Sequence, residues 1–303
     1  MQDLPISQMN EHLIKLSHSL LPTEVMREIL TRCVEEDGGF EGDITTRSII
    51  PQESRGRFAI NVRGRGVLAG LEPMLRAIDV YDSLALTNYF QDGEEVVDAT
   101  IACLDGSVQT ALIAERTILN VLGHACGIAT LTKQFVDAVD GTECIVCDTR
   151  KTTPGLRSLD KYSVACGGGV VHRLGLHDAA LYKDNHIARL DYDILKLQDA
   201  IGVVRRDDSL QFVEVEVDSL EQLEEALLLD VDILLLDNFG LSDLEQAVAY
   251  RDKAERSPLL EASGGITIDT VSDVASTGVD RVAVGALTHS APWIDIGLDV
   301  IDE

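Results

Sequence analysis

The segment DTRKTTPG, residues 148–155, places an acid, two adjacent cations and three threonines within eight positions. It opens a stretch, residues 148–186, that holds six of the 25 lysines and arginines of the chain: Arg150, Lys151, Arg157, Lys161, Arg173 and Lys183. These cations stand beside apolar runs and glycines and do not repeat at helical spacing, which is unlike a solvated helix face. A local cationic cluster in an acidic protein predicts a site for an anionic ligand.

Short apolar runs position these cations. From residue 143 onward the runs ECIVC, AALYK, FVEVEV, DILLL, LLEAS and RVAVG alternate with segments such as SLEQLEEALLLD, in which apolar residues recur at steps of three and four. This pattern predicts β/α alternation and a parallel sheet, and the number of units favours a barrel. In such barrels the functional groups lie at the carboxyl ends of the strands.

Polar residues or glycine stand at the end of each of the six runs or just after it. In chain order these are Asp148, Arg150 and Lys151; Lys183; Glu216; Asp237; Ser263, Gly264 and Gly265; and Gly285. Solubilising residues at strand ends could explain one or two of them, but six converging sets favour an active site. Because barrels often bind phosphate through backbone N–H groups after the last two strands, SGGI and VGA predict a phosphorylated substrate.

The first 140 or so residues have a different pattern. A helical segment, LPTEVMREILTRCVEED, precedes the strand-like RGRFAINVRGRGVLAG and EEVVDATIACLDG, which is typical of an α+β domain. A long helical stretch, ALIAERTILNVLGHACGIATLTKQFVDAV, then leads into the barrel segment. No linker rich in proline or serine separates the two parts, so we expect them to pack closely.

Composition excludes several classes of partner. The formal net charge of −27 argues against binding to nucleic acid or to anionic membranes. An acidic, lysine-poor chain is also what a salt-rich cytoplasm would favour, so a halophilic source is a hypothesis beside that of an ordinary acidic enzyme. The start of the sequence has no basic segment followed by an apolar core, and no stretch approaches the roughly 20 apolar residues that cross a bilayer. We therefore expect a cytoplasmic protein.

Six cysteines are scattered along the chain, and Cys144 and Cys147 form the one CxxC motif. A zinc site would need two further ligands at matching spacing, and the pair lies in a strand-like segment. Buried thiols are therefore favoured over a metal site.

Eight ordered motifs resemble one family. They are GDITT, ERTILNVLGHACGIATLT, DTRKTTPGLRSLDKYSV, GGGVVHRLGLHDAALYKDNHI, VEVEVDSLEQLEEAL, LLLDNF, EASGGIT and VGALTHSAPWIDI. From about residue 24 to residue 300 the chain resembles quinolinate phosphoribosyltransferase. The resemblance implies that quinolinate and phosphoribosyl pyrophosphate (PRPP) give nicotinate mononucleotide, pyrophosphate and CO2 in NAD biosynthesis, with Mg²⁺.

The family's fold implies an α/β class in two domains. An N-terminal α/β sandwich, α+β in flavour, would cover residues 1–127 and be joined by the C-terminal tail 290–303. An incomplete parallel α/β barrel of the type II phosphoribosyltransferase kind would cover residues 128–289. The resemblance further implies a homodimer, or a larger homo-oligomer, in which two subunits complete each active site.

The resemblance also assigns roles to individual residues. Quinolinate would contact Arg150, Lys151, Thr152, His172, Arg173 and Lys183, with Arg116 reaching in from a second subunit. The catalytic residues would be Lys151, Lys183, Glu216 and Asp237. Glu216 and Asp237 would face the ribose hydroxyls and Mg²⁺, directly or through water, and the 5′-phosphate would lie against Ser263, Gly264, Gly265, Gly285 and Ala286. Two adjacent carboxylates on quinolinate explain the need for several cations, since guanidinium binds carboxylate through two N–H donors.

Alternatives to these roles stay open. Lys183 could form a Schiff base, as in barrel aldolases, and His172 could be a hydrogen-bonded core histidine. Glu214 lies on the same strand face as Glu216 and could share or take over its role. We interpret His177 and His186 as structural.

Two residues depart from the family's usual pattern near the site: Val171 before His172, and Tyr182 before Lys183. A third, Cys126, stands where serine is usual. Rival functions are a related enzyme that uses another acceptor and a non-catalytic sensor of a phosphoribosyl ligand. The complete set of clamp cations argues against the first, and the intact Lys183, Glu216 and Asp237 argue against the second.

Overall fold

The computed structural model describes residues 19–39 and 43–301 of the 303-residue chain. The first residue of the GDITT motif, and residues 1–18 and 302–303 of the predicted N-terminal domain and tail, lie outside the described residues. None of the helices in the described part is both long and apolar enough to span a bilayer.

Ten strands occur in the described residues. They are β1 (Arg55–Val67), β2 (Leu84–Asn88), β3 (Glu95–Ser107), β4 (Ile145–Cys147), β5 (Ala180–Tyr182), β6 (Val213–Val217), β7 (Ile233–Asp237), β8 (Leu259–Ser263), β9 (Arg281–Ala283) and β10 (Asp295–Val300).

The helices of the same residues are named in chain order. They are α1 (Thr23–Glu36), α2 (Ile44–Ile49), α3 (Leu71–Ala77), α4 (Val108–Ala138), α5 (Arg157–Cys166), α6 (Asp184–Ala188), α7 (Ile194–Val204), α8 (Leu220–Ala226), α9 (Leu241–Arg251), α10 (Val271–Ser276) and α11 (Ala286–His289), with a 3₁₀ turn at Ile78–Val80.

The described residues divide into two compact units. The barrel unit contains Gln134–Lys151 and Gly169–Ala286, and the antiparallel unit contains residues 19–39, 43–133, Thr152–Gly168 and 287–301. The segment 152–168, with α5, thus groups with the antiparallel unit, whereas the sequence placed it in the barrel domain. The predicted domain limits themselves stay a prediction.

The antiparallel unit is built on a four-stranded sheet in the order β10-β1-β3-β2. Alternate residues of β1, among them Phe58, Ile60 and Val62, are buried, as expected for a strand with one face on the core. In α1 the buried residues Met26, Ile29, Leu30 and Val34 recur at helical spacing and form one apolar face. This helix and the strands β1 and β3 confirm the α+β pattern expected from the sequence.

The barrel unit is built on a six-stranded parallel sheet in the order β4-β9-β8-β7-β6-β5. Consecutive strands from β5 to β9 are neighbours, and β4 pairs with β9, so the sheet is open between β4 and β5. All six predicted strands are present, which confirms the incomplete parallel barrel. The two sheets together confirm the mixed α/β class.

Burial decreases at the carboxyl ends of β7 and β8. In β7 the first four residues are buried and Asp237 is half-buried, and β8 repeats this pattern with Ser263 at its end. Since Asp237 and Ser263 are paired across the two strands, their side chains reach the same edge of the sheet. The apolar stems of the strands thus fix the polar groups that follow them.

Candidate active site

The carboxyl ends of the barrel strands surround a cavity of about 600 Å³. Four cations, two acids of the predicted catalytic set and the segment that follows β8 are among its lining residues: Arg150, Lys151, Arg173, Lys183, Glu216, Asp237, Ser263, Gly264 and Gly265. His172 also lines it. Ten of the predicted site residues therefore share one concave surface within the barrel unit.

Two arginine side chains, Arg150 and Arg173, line this cavity and repel each other. Arg173 is buried, and its pKa is lowered by burial and by the positive charge of Arg150. The Nε atom of Arg150 is buried and has no hydrogen-bond acceptor among the described residues. Holding two cations together costs free energy that an anion between them would offset. The pair therefore forms a site prepared for an anionic group.

Lys183 and Glu216 form an ion pair at the neighbouring strand ends. Nζ of Lys183 donates to Oε2 of Glu216, and the lysine is about half exposed while the glutamate is largely buried. The backbone N–H of Lys183 donates to Nδ1 of His186 at 3.0 Å, which fixes the turn into α6. His186 thus has the structural role expected from the sequence.

The segment after β8 has a backbone conformation that requires glycine. Gly264 has φ of +100°, and a Cβ atom there would lie 2.2 Å from Oδ1 of Asn238. Asn238 itself donates from its side chain to Asp237 at 2.8 Å and from its backbone to the carbonyl of Ser263 at 2.8 Å. The carboxylate of Asp237 and the glycine segment are therefore held in place by one asparagine.

A charged cluster is buried beside the cavity. His172, Glu214, Glu261 and Arg281 are 5%, 0%, 0% and 1% exposed, and we call them the core quartet. Nε2 of His172 lies 3.0 Å from Glu214 and 3.2 Å from Glu261, and Nε of Arg281 lies 3.0 Å from the other oxygen of Glu261. Glu214 therefore pairs with His172, whereas Glu216 pairs with Lys183, so the two glutamates of β6 have different partners.

The protonation of His172 follows from its surroundings. Burial disfavours the charged ring and lowers the pKa of His172, whereas the carboxylates of Glu261 and Glu214 raise it. The backbone N–H of Arg173, however, donates to Nδ1 of His172 at 2.7 Å, which requires a lone pair on that nitrogen. A doubly protonated ring has none, so we assign the neutral ring with its hydrogen on Nε2.

Sequence reasoning missed two members of the core quartet. Glu261 and Arg281 lie inside the apolar runs LLEAS and RVAVG, where a charged residue is unusual. A buried charge needs a partner of opposite sign, so the two exceptions could have been paired with each other. Each charged residue stood out within its apolar run, but no sequence pattern connects two residues 20 positions apart on neighbouring strands.

Some predicted site residues do not line the cavity. Arg116 is exposed on α4 in the antiparallel unit, and it makes no hydrogen bond or ion pair within the described residues. Thr152 also belongs to the antiparallel unit, and its hydroxyl accepts a hydrogen bond from Nε of Arg157 at 3.2 Å. Gly285 and Ala286 follow β9 in the barrel unit.

The CxxC cysteines are buried free thiols, as the sequence favoured. Burial raises the pKa of both Cys144 and Cys147 to about 12. Among the described residues, one group of histidine and carboxylate side chains is close enough to hold a metal ion, namely His172, Glu214 and Glu261, and neither cysteine belongs to it.

Comparison with known proteins identifies the family. The sequence model of the quinolinate phosphoribosyl transferase N-terminal domain matches residues 43–126, and that of the C-terminal domain matches residues 128–299. The chain belongs to the quinolinate phosphoribosyltransferase family. The resemblance inferred from the eight motifs is thereby confirmed.

Relatives of this family match the chain along most of its length. It is 41% identical over 281 residues to the nicotinate-nucleotide pyrophosphorylase [carboxylating] of Mycobacterium leprae, covering 91% of this chain and 98% of that protein. It is 39% identical over 282 residues to the probable enzyme of that name from Methanocaldococcus jannaschii, covering 90% and 96%. The crystal structure of nicotinate-nucleotide pyrophosphorylase from Ehrlichia chaffeensis superposes with a TM-score of 0.83 at 38% identity, covering 90% and 98%.

Proposed function

We propose that this protein transfers the phosphoribosyl group of PRPP to quinolinate with loss of CO2, giving nicotinate mononucleotide and pyrophosphate for NAD biosynthesis. Family membership supports the enzyme class. The observation that supports the substrate is the cavity itself, since it combines four cations with two carboxylates and a glycine segment. A dianionic base and a phosphorylated sugar are together complementary to such a lining.

The four cations would bind the two carboxylates of quinolinate. Arg150 and Arg173 repel each other in the free protein, and a carboxylate between them would relieve this repulsion while accepting paired N–H donors. Lys151 and Lys183 would add positive charge around the second carboxylate. A base with one carboxylate, such as nicotinate, would leave part of this charge unpaired, so the site discriminates against it.

The remaining part of the cavity would hold the sugar phosphate. Gly264 and Gly265 present backbone without side chains beside Ser263, which suits close approach of a phosphate. The carboxylates of Glu216 and Asp237 are positioned for ribose hydroxyls and for the positive charge that develops at the anomeric carbon when pyrophosphate leaves.

Magnesium is proposed as the metal that accompanies PRPP. Asp237 offers hard carboxylate oxygen at the cavity edge, whereas Glu216 is already paired with Lys183. Two carboxylates fit an ion that keeps several waters and is bound largely by the phosphates of its substrate. Magnesium would neutralise the departing pyrophosphate. Glu216 and Asp237 would hold it directly or through water.

After glycosidic bond formation, the ring nitrogen of the base carries positive charge. When the adjacent carboxylate leaves as CO2, the electron pair of the broken C–C bond stays on the ring carbon, where the neighbouring positive nitrogen stabilises it. That carbon then takes up a proton from solvent to give nicotinate mononucleotide. The cations of the clamp hold the ring in place, and we propose that Lys151 and Lys183 act during this sequence as catalytic residues.

Arg116 is proposed to complete the site from a second subunit. It is exposed on α4 and has no partner within the described residues, so its guanidinium is available to a ligand or to another chain. We propose a homodimer or a larger homo-oligomer in which this residue reaches the partner's quinolinate.

The test is a product assay with matched bases. Purified protein is incubated with PRPP, Mg²⁺ and either quinolinate or nicotinate over a series of KCl concentrations. We expect nicotinate mononucleotide from quinolinate and little from nicotinate. Folded protein that forms no product from quinolinate at any salt concentration would contradict the proposal, and equal turnover of both bases would contradict the clamp.

A further inference from the structure

Both ring nitrogens of His172 are occupied by protein groups. Nε2 lies between the carboxylates of Glu214 and Glu261, 3.0 and 3.2 Å from their nearer oxygens, and is aligned for a hydrogen bond with neither. Nδ1 accepts the backbone N–H of Arg173 at 2.7 Å. No ring nitrogen is left to contact a ligand in the cavity, although the ring forms part of its wall.

The backbone of His172 is fixed as firmly as its ring. Its N–H donates to Oδ1 of Asp148 at 2.7 Å, and Asp148 is fully buried directly before the cationic segment. The ring also packs edge-on against Phe212, with 5.4 Å between centroids. Backbone, ring plane and both nitrogens of His172 are therefore all defined by neighbouring groups.

Arg281 compensates part of the negative charge of the core quartet. Two buried carboxylates beside a neutral histidine would carry two negative charges, and the guanidinium of Arg281 compensates one of them through Glu261. Arg281 also reaches Sγ of Cys147 at 3.1 and 3.2 Å. Since Cys147 directly precedes Asp148, the quartet is connected to the strand end that carries Arg150.

We propose that the core quartet is a positioning element for the quinolinate clamp. His172, held by Glu214 and Glu261 through Nε2, fixes through Nδ1 the peptide that carries Arg173, and so sets the Arg173 guanidinium opposite Arg150. His172 is in this view a positioning residue and not a direct contact of the substrate. The inference rests on the proposed function, because Arg173 is assigned to a carboxylate of quinolinate.

Two substitutions of His172 separate its two nitrogens. His172→Asn places an amide oxygen near the position of Nδ1 but is too short to reach the carboxylates. His172→Gln places an amide near the position of Nε2 but leaves the Arg173 N–H without an acceptor. We expect KM for quinolinate to rise about tenfold in His172→Gln, as for the loss of one buried hydrogen bond, and less in His172→Asn. KM for PRPP should stay within about twofold, because the Ser263–Gly265 segment and Asp237 are untouched.

Glu214→Leu removes one of the two acceptors of the Nε2 hydrogen without introducing a new polar group. We expect it to raise KM for quinolinate by a factor similar to that of His172→Gln. Glu221→Gln is the matched control, because it removes a carboxylate from an exposed position of α8 and should leave both KM values unchanged. Circular dichroism and the melting temperature check that each variant is folded.

A spectroscopic measurement tests the inference without substrate. Nitrogen-15 NMR of the wild-type protein, with the His172 signals assigned by their loss in His172→Asn, should show a neutral ring with hydrogen on Nε2 at pH 7. This result does not depend on activity, so a protein inactive with quinolinate but showing this tautomer would refute the proposed function alone. The NMR measurement can be made on the wild-type protein even if Glu214→Leu does not fold.

Three results would overturn the inference. The first is an active wild type whose His172→Gln and folded Glu214→Leu variants keep the wild-type KM for quinolinate. The second is a ring with hydrogen on Nδ1 at pH 7. The third is a stoichiometric metal ion in the purified protein whose removal by chelator shifts the His172 ring signals, because the two carboxylates and Nε2 would then be metal ligands.

Discussion

Gly264→Ala is the substitution for which the structure gives the most specific expectation. The new Cβ atom would lie 2.2 Å from Oδ1 of Asn238, far inside van der Waals contact, at a residue with φ of +100°. Gly265→Ala is a matched control one position away, because Gly265 has φ of +61° and its added Cβ would meet nothing within 4 Å. Both variants strain the backbone, and one of them also displaces a side chain.

The two variants differ in free energy by the cost of displacing Asn238. A left-handed conformation costs a non-glycine residue about 1–2 kcal/mol at either position. At Gly264 the asparagine must also move, which breaks its 2.8 Å hydrogen bond to Asp237 and strains the 2.8 Å bond from its backbone to Ser263. Each lost hydrogen bond is worth about 1 kcal/mol. Gly264→Ala should therefore cost about 3 kcal/mol in total, of which about 1.5 kcal/mol is absent from the control.

Steady-state kinetics with PRPP as the varied substrate measures this difference. We expect KM for PRPP to be about tenfold higher in Gly264→Ala than in Gly265→Ala, with similar KM for quinolinate in the two. Melting temperatures of both variants separate local displacement from loss of fold. Equal KM values for PRPP in the two variants would refute the reasoning that Asn238 and Gly264 together shape the segment Ser263–Gly265. An effect on KM for quinolinate alone would refute the assignment of this segment to PRPP.

Three further predictions concern the cations and the surface. Arg150→Ala and Lys183→Ala should each abolish detectable turnover while the circular dichroism spectrum stays native, and a near-normal rate in either would contradict the clamp. Mixing an Arg116→Ala protein with a Lys183→Ala protein should restore some activity through hybrid dimers, and no rescue despite proven subunit exchange would contradict a shared site. The melting temperature should rise with added KCl, since screening weakens the repulsion within a chain of net charge −27, and a flat or falling curve would contradict the halophilic hypothesis.

The barrel could be predicted from the sequence because its strands differ from their surroundings. Runs such as FVEVEV and DILLL are buried on both faces and alternate with amphipathic helices, which is a strong local signal. The clustering of polar residues at the strand ends could be predicted as well, because parallel strands place their carboxyl ends at one edge of the sheet. By contrast, β2 was missed: it has five residues, only one of them fully buried, and it is defined by pairing with β3. Such edge strands depend on tertiary pairing more than on local pattern.

Some residues of the candidate site could likewise be found from the sequence, and others could not. Arg150, Lys183 and Asp237 could be found because each lies at the end of an apolar run or shortly after it. The partners of His172 could not, since Glu214 and Glu261 reach it only when their strands are side by side. Sequence periodicity showed that Glu214 shares a face with Glu216, but it could not show that the former pairs with a buried histidine and the latter with a lysine.

Tracing the carboxylate of the base tests most directly whether the cavity couples phosphoribosyl transfer to decarboxylation. With quinolinate labelled with carbon-13 at its 2-carboxylate, PRPP and Mg²⁺, we predict one labelled CO2 for each nicotinate mononucleotide formed, and no labelled CO2 when PRPP is omitted. Mononucleotide that retains the label, CO2 released without PRPP, or no reaction in folded protein would each contradict the assignment of this cavity to coupled phosphoribosyl transfer and decarboxylation.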